Sequence, residues 1–173
     1  RGRQPKGPYA LAGLSFGGVL AYEIAQRLRA AGEEVSLLAM FDTVIPSGLR
    51  RAPLKWARAH LRAIRRAPLE EARRVLRRAR GEANEEAVAG VREAAYVAAM
   101  RRYQPQTYDG EVLLFRATES SFGEGWVATR DGGLGPYAPR MRVLDVPGRH
   151  VGMMHPPHVD TLAARLRPFL PEG

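Results

Sequence analysis

No cysteine occurs among the 173 residues. That absence excludes disulfides, a thiolate nucleophile and Cys-ligated zinc, and it fits a cytoplasmic protein. Nor is there an apolar run of the kind that a signal peptide or a membrane-spanning helix needs. The first residue is Arg1 rather than Met, so the sequence reads as a soluble fragment of something longer. Acidic residues are short in one place only. From Arg50 to Tyr103, fifteen Lys or Arg face six Asp or Glu, whereas the rest of the chain holds twelve of each sign. The net charge of +9 therefore belongs to one segment. Few aromatics are interleaved with those arginines and no nucleic-acid-binding module is recognisable, so a solvated face or a dock for an acidic protein is expected rather than nucleic acid.

What is present organises itself around Gly7 to Gly18, GPYALAGLSFGG. A short apolar run, Tyr9 to Leu14, delivers Ser15 into Gly13-Leu14-Ser15-Phe16-Gly17, and a helical pattern begins directly after it. Strand, sharp turn and helix in that order are the context of a G-x-S-x-G nucleophile elbow, in which a strained turn lifts the serine hydroxyl off the sheet. Gly13 and Gly17 are expected to be the positions where a Cβ would crowd the neighbouring strand or helix. The helix N-terminus brings partial positive charge to the place where a negative oxygen would form. The plainer alternative is a glycine-rich turn whose serine only caps the helix.

The chain length suits one domain with a sizeable core. From Phe16 to Ala31, Leu20, Ile24, Leu28 and Ala31 recur at helical spacing, and Gly32 ends the helix. Val35 to Phe41 is a continuous apolar run that reads as a buried parallel strand, with Asp42 at its carboxyl end. Pro46 to Arg51 breaks the pattern. Helical pieces are expected over 54–66, 69–80 and 85–103, separated by Pro53, Pro68 and Gly81, and so rich in arginine that they suit an inserted cap better than a core layer. Glu111 to Ala117 and Met141 to Val146 are two further strands, the glycine-rich stretch 123–135 has no clear assignment, and Pro157 to Leu170 carries Val159, Leu162, Leu166 and Phe169 at helical spacing.

Ser15, Asp42 and His150 each follow a strand, in the order serine, acid, histidine. A serine hydroxyl needs a base in contact with it, and His150 is the candidate that follows a strand through a Pro-Gly turn. Asp42 would fix the imidazole tautomer, with Glu119 after the third strand as the competing acid. The N–H of Phe16 would supply one oxyanion donor. His60 sits in the arginine-rich segment, and His155 and His158 flank Pro156-Pro157, where shaping the last helix is the expected role. His150, His155 and His158 have only Asp160 as an acidic neighbour, so no metal site is expected.

These residues resemble the thioesterase domains that end type I polyketide synthase and nonribosomal peptide synthetase assembly lines, in the α/β-hydrolase superfamily. PKGPYALAGLSFGGVLAYEIAQRL resembles the elbow and its helix, LLAMFDT the strand bearing the catalytic aspartate, and YDGEVLLFRATE, Gly125-Trp126 and VPGRHVGMMHPPHVDTLA the later strand, loop and histidine segment. The resemblance runs from about Pro5 to Leu170, carries Ser15, Asp42 and His150 over as the triad, and lowers the claim of Glu119. Arg149, before the histidine, departs from the acidic or small residue common there. The resemblance implies an α/β-hydrolase fold, as the later half of a mostly parallel sheet, in a single domain over 1–173 with a helical lid inserted at 50–104. It implies a serine thioesterase without a bound cofactor. Its substrate would be an acyl or peptidyl chain presented on the phosphopantetheine of a carrier protein, released by water or by ring closure, with no membrane as a partner. The simpler alternatives are a stand-alone hydrolase or editing thioesterase on simple acyl esters, or a non-catalytic carrier-docking fragment. In the family, further strands and the loop giving a second oxyanion donor precede the equivalent of Gly7. Without them the first strand would lack a neighbour, inviting association with another copy, and a missing oxyanion donor costs about 10²- to 10³-fold in rate.

Overall fold

A computed structural model of the chain describes residues 4–52, 98–119 and 126–170. Their centre is a four-stranded sheet in the order β1-β2-β4-β6, formed by β1 (Tyr9–Leu14), β2 (Val35–Phe41), β4 (Val112–Ala117) and β6 (Met141–Val146). Every neighbouring pair is parallel. Parallel neighbours need crossover connections, and the first is the helix α1 (Phe16–Ala30). β2 and β4, flanked on both sides, are the most apolar and the most buried: Leu37 to Phe41 and Val112 to Phe115 are all buried. β1 lies at one edge of this sheet and β6 at the other.

α1 has the expected length, but the face it buries is not the stripe that the spacing suggests. Leu20 and Ile24 are 48% and 46% exposed, while Gly18, Val19, Ala21, Tyr22 and Ala25 are buried. The cause is close approach. A Cβ added to Gly13 would stand 2.1 Å from the backbone carbonyl of Gly17, and one added to Gly18 would stand 2.0 Å from Thr43 Oγ1. At that separation the sheet-facing side has room for small residues, so the bulkier aliphatics turn outward. Tyr22 is the large exception. Its hydroxyl lies 2.8 Å from the Tyr137 carbonyl and 3.0 Å from that of Gln106. Burial pushes its pKa up to about 12, so the phenol stays neutral and keeps its donor.

Gly17 does not share this crowding, contrary to the sequence expectation: a Cβ there meets nothing within 4 Å. The contrast gives a direct test. Gly13→Ala is expected to destabilise by about 3 kcal/mol or more, because backbone rather than a flexible side chain must move. Gly17→Ala is expected to be neutral or to stabilise by up to about 1 kcal/mol, because alanine fits the negative φ of the first helical turn and gives the unfolded chain less freedom to lose. Urea denaturation of both variants measures the difference.

The other side of the sheet packs against the last helix, α2 (His158–Leu166), and the 3₁₀ turn Arg167–Phe169. Leu162 and Met153 join Leu37, Phe41, Phe115 and Val146 in this core, with Leu166 and Phe169 at its margin. The helical spacing read from 157 to 170 is thus the buried face. Two short elements escape the sequence reading: β3 (Leu49–Arg51) after a 3₁₀ turn at Pro46–Gly48, and β5 (Trp126–Ala128), paired as a two-stranded sheet. Three-residue strands among prolines and glycines are too short to show a period.

The chain divides into two compact units. One takes in 1–50, 105–122 and 127–173, and the other 51–104 and 123–126. Of the helical pieces expected over 54–66, 69–80 and 85–103, the first two and most of the third lie outside the described residues, as does His60; residues 98–102 are helical. Among the described residues no helix is long and apolar enough to cross a membrane.

Candidate active site

The carboxyl ends of β1, β2 and β6 present Ser15, Asp42 and the turn to His150 along one edge of the sheet. Ser15 has φ 56° and ψ −120°. A non-glycine residue there carries strain of about 1–3 kcal/mol, which persists only where surrounding bonds impose it. Two such bonds are clear. The Ser15 N–H donates to the Phe41 carbonyl at 2.8 Å, and the Ser15 carbonyl accepts from Gly18 N–H at 3.0 Å, opening the helix.

Asp42 is the second non-glycine residue with positive φ, at 43°. It is 2% exposed, and Asp42 and Thr43 are the buried polar residues among those described. A buried carboxylate needs donors. The backbone N–H of Ala117 donates to Asp42 Oδ1 at 3.0 Å, and His150 Nδ1 stands 2.7 Å from Oδ2. A carboxylate can only accept, so Nδ1 carries the shared hydrogen and Nε2 of the neutral ring keeps a lone pair. The His150 side chain is 36% exposed against 1% for Asp42, so the acid is sealed and the imidazole is reachable.

The turn that places His150 is fixed from both sides. Gly148 has φ 94°, and a Cβ on it would meet the His158 ring at 2.6 Å. Its carbonyl accepts the Glu119 N–H at 3.0 Å. Glu119, the competing acid, therefore serves this turn through its backbone, and the imidazole meets Asp42 instead. His155 helps begin α2 through its carbonyl, which accepts the N–H groups of His158 and Val159. Among the described residues, no three His, Cys, Asp or Glu side chains gather as a metal site.

The structure thus joins Asp42 to His150 and sets Ser15 on the adjacent strand end. Among the described residues it records no hydrogen bond between the Ser15 hydroxyl and His150. Such bonds are often long in unliganded enzymes and tighten with substrate. Phe16, the candidate oxyanion donor, is the first residue of α1. Sequence reading passed over Thr43, whose hydroxyl lies 3.0 Å from the Ser15 carbonyl. Its only signal was a hydroxyl residue beside an acid at the end of a buried strand.

Comparison with known proteins places the chain in a family. The thioesterase domain family matches residues 1–170. A 56-residue segment is 52% identical to the non-reducing polyketide synthase pks27 of Aspergillus flavus, and a 57-residue segment is 56% identical to the non-reducing polyketide synthase CTB1 of Cercospora nicotianae. Each segment covers 32% of this chain and 3% of the synthase. Among solved structures, the NocB thioesterase domain in covalent complex with a fluorophosphonate nocardicin G analog superposes with a TM-score of 0.63 at 30% identity, covering 99% of this chain and 69% of that one. A holo four-domain nonribosomal peptide synthetase bound to AMP and glycine gives a TM-score of 0.62 at 26% identity, over 98% of this chain and 15% of the synthetase. The parallel sheet with its helices is the α/β-hydrolase arrangement of these domains. The chain belongs to the thioesterase domain family.

Proposed function

We propose that this domain releases an acyl or peptidyl chain from the phosphopantetheine arm of a carrier protein, through an acyl-Ser15 intermediate. The observation that carries this reading is the sealed Asp42 holding His150 Nδ1 at 2.7 Å, with the strained Ser15 at the neighbouring strand end. Ser15 Oγ attacks the thioester carbonyl while His150 Nε2 takes the hydroxyl proton, and Asp42 stabilises the imidazolium that forms. The developing oxyanion lies against the Phe16 N–H at the start of α1, where the helix dipole favours negative charge. Collapse breaks the C–S bond, and His150 returns its proton to the departing thiol. Water, or a hydroxyl or amine within the chain, then attacks the acyl-serine while His150 accepts its proton, and the second collapse restores Ser15. Water gives an acid and an internal nucleophile gives a ring. No cofactor is needed for either step. The arginine-rich segment 50–103 offers positive charge to an acidic carrier, an attraction that salt would screen.

The test is acyl transfer from defined donors. On incubation with an acyl-pantetheine thioester and rapid acid quench, intact mass is expected to show one acyl adduct, on the peptide containing Ser15. Faster acylation from a carrier-bound thioester than from a simple ester separates a carrier-dependent domain from a general esterase. An adduct on another residue, or none on a folded chain, would sink the reading.

A further inference from the structure

The peptide that links Ser15 to Phe16 has to hold one orientation, because its two ends do different work. Its carbonyl belongs to Ser15 and its N–H to Phe16, and in a trans peptide the two point in opposite directions. Whatever fixes the Ser15 carbonyl therefore aims the Phe16 N–H. The Ser15 carbonyl receives the Gly18 N–H from α1 and the Thr43 hydroxyl from the far end of β2, each at 3.0 Å. The Gly18 bond is a helical-turn contact that moves with the helix. The Thr43 bond comes from outside it, from the residue directly after Asp42.

Thr43 is unusual for its place. It is 1% exposed, and its hydroxyl has a second, longer contact with the Phe41 carbonyl at 3.4 Å. That same Phe41 carbonyl takes the Ser15 N–H. Both backbone polar groups of Ser15 are thus held by the three-residue stretch that carries Asp42. The approach is open only because Gly18 has no side chain, since a Cβ there would stand 2.0 Å from Thr43 Oγ1.

We propose that Thr43 is a positioning residue: its hydroxyl locks the Ser15–Phe16 peptide so that the Phe16 N–H faces the oxyanion, and couples that orientation to the strand end bearing Asp42. This rests on the reading of Ser15 as the nucleophile. Thr43 touches no reacting atom and acts through the peptide. Removing its hydroxyl leaves nucleophile, base and acid in place but loosens the donor.

The experiment uses the two-step kinetics of a serine-directed fluorophosphonate on the full chain, whose reaction places an oxygen where the oxyanion would lie. Thr43→Val keeps shape and removes the donor. Its rate constant for phosphonylation is expected to fall about 10- to 100-fold, somewhat less than the loss of a whole oxyanion donor, with the initial binding constant and melting temperature close to native. Thr43→Ser, which keeps the hydroxyl, is expected to restore the rate to within about threefold, a mismatch small beside the effect of a lost donor. A purely structural role would instead lower the melting temperature of Thr43→Val and leave its rate constant for phosphonylation native. Phosphonylation of folded Thr43→Val at the native rate, or Thr43→Ser as slow as Thr43→Val, overturns the proposal and leaves the assignment of Ser15 standing. Should Thr43→Val not fold, Thr43→Cys supplies a weaker donor of similar size: an intermediate rate supports the proposal and a native rate overturns it. If the native chain forms no adduct that Ser15→Ala abolishes, the functional reading fails first and this proposal falls with it.

Discussion

Ser15→Ala is expected to abolish the single fluorophosphonate adduct that intact mass should show on the native chain, and to lower thioester turnover by a factor on the order of 10⁶. The size of the loss follows from the division of labour in the site. His150 is reachable and held by Asp42, but a base with no hydroxyl to activate can only act on water. Water is not held at the strand end as Ser15 is, by bonds to Phe41 and Gly18. The donor at the start of α1 and substrate binding would still operate, and in hydrolases of this type they leave a residual acceleration of about 10³- to 10⁴-fold over water. Total loss of the adduct with a small remaining turnover is therefore the expected pattern. The fold should be indifferent to the change. Ser15 contributes no side-chain cap to α1, so the plainer alternative of a capping serine predicts a loss of stability of about 1 kcal/mol that the variant should not show. Comparing urea midpoints settles that point in the same preparation. An adduct that survives in Ser15→Ala would move the nucleophile elsewhere.

How much of this could be read from the sequence depends on how locally each feature is encoded. β1 and β2 have the bounds that their apolar runs give, and β6 has the expected bounds although Arg142 and Asp145 interrupt it, because Met141, Val143, Leu144 and Val146 still stand between turn residues on either side. The meeting of Asp42 with His150, 108 positions apart, was legible only through the fold: each follows a strand, and parallel strands gather their carboxyl ends on one edge. Three things were not legible. The burial of α1 through Gly18, Ala21 and Ala25 rather than Leu20 and Ile24 depends on how near the helix comes to the sheet, which a periodicity cannot state. Which glycine is indispensable depends on the same distance, and the crowded pair is Gly13 and Gly18 rather than Gly13 and Gly17. The bond from Thr43 to Ser15 is between backbone and side chain at 28 positions' remove, with no pattern to announce it.

Asp42→Asn is the second variant with a large expected effect, and it separates the role of the acid from its presence. The amide has nearly the shape of the carboxylate, so the bond from Ala117 N–H to Oδ1 can persist and the burial is unchanged. What changes is the partner of His150 Nδ1. An asparagine that keeps its oxygen toward Ala117 turns its NH₂ toward the imidazole, which then has to accept at Nδ1 and carry its hydrogen on Nε2. That tautomer offers the Ser15 hydroxyl a donor where it needs an acceptor. The negative charge that would stabilise the imidazolium is lost as well. The two losses together amount to about a 10⁴-fold fall in kcat in hydrolases built this way, with KM expected to change little because the Asp42 side chain is sealed from the surface. Raising the pH should recover part of the rate, since hydroxide can take over some of the proton transfer. Asp42→Ala would be a poorer probe, because it leaves the Ala117 N–H and the imidazole without a buried partner and confounds stability with chemistry. The assignment makes one more demand: Glu119→Gln, in the same assay, should stay within about threefold of native, because Glu119 meets the histidine turn through its backbone N–H, which the substitution keeps. A large loss there with a small one in Asp42→Asn would hand the role of the acid to Glu119 and require His150 to turn away from the partner it holds.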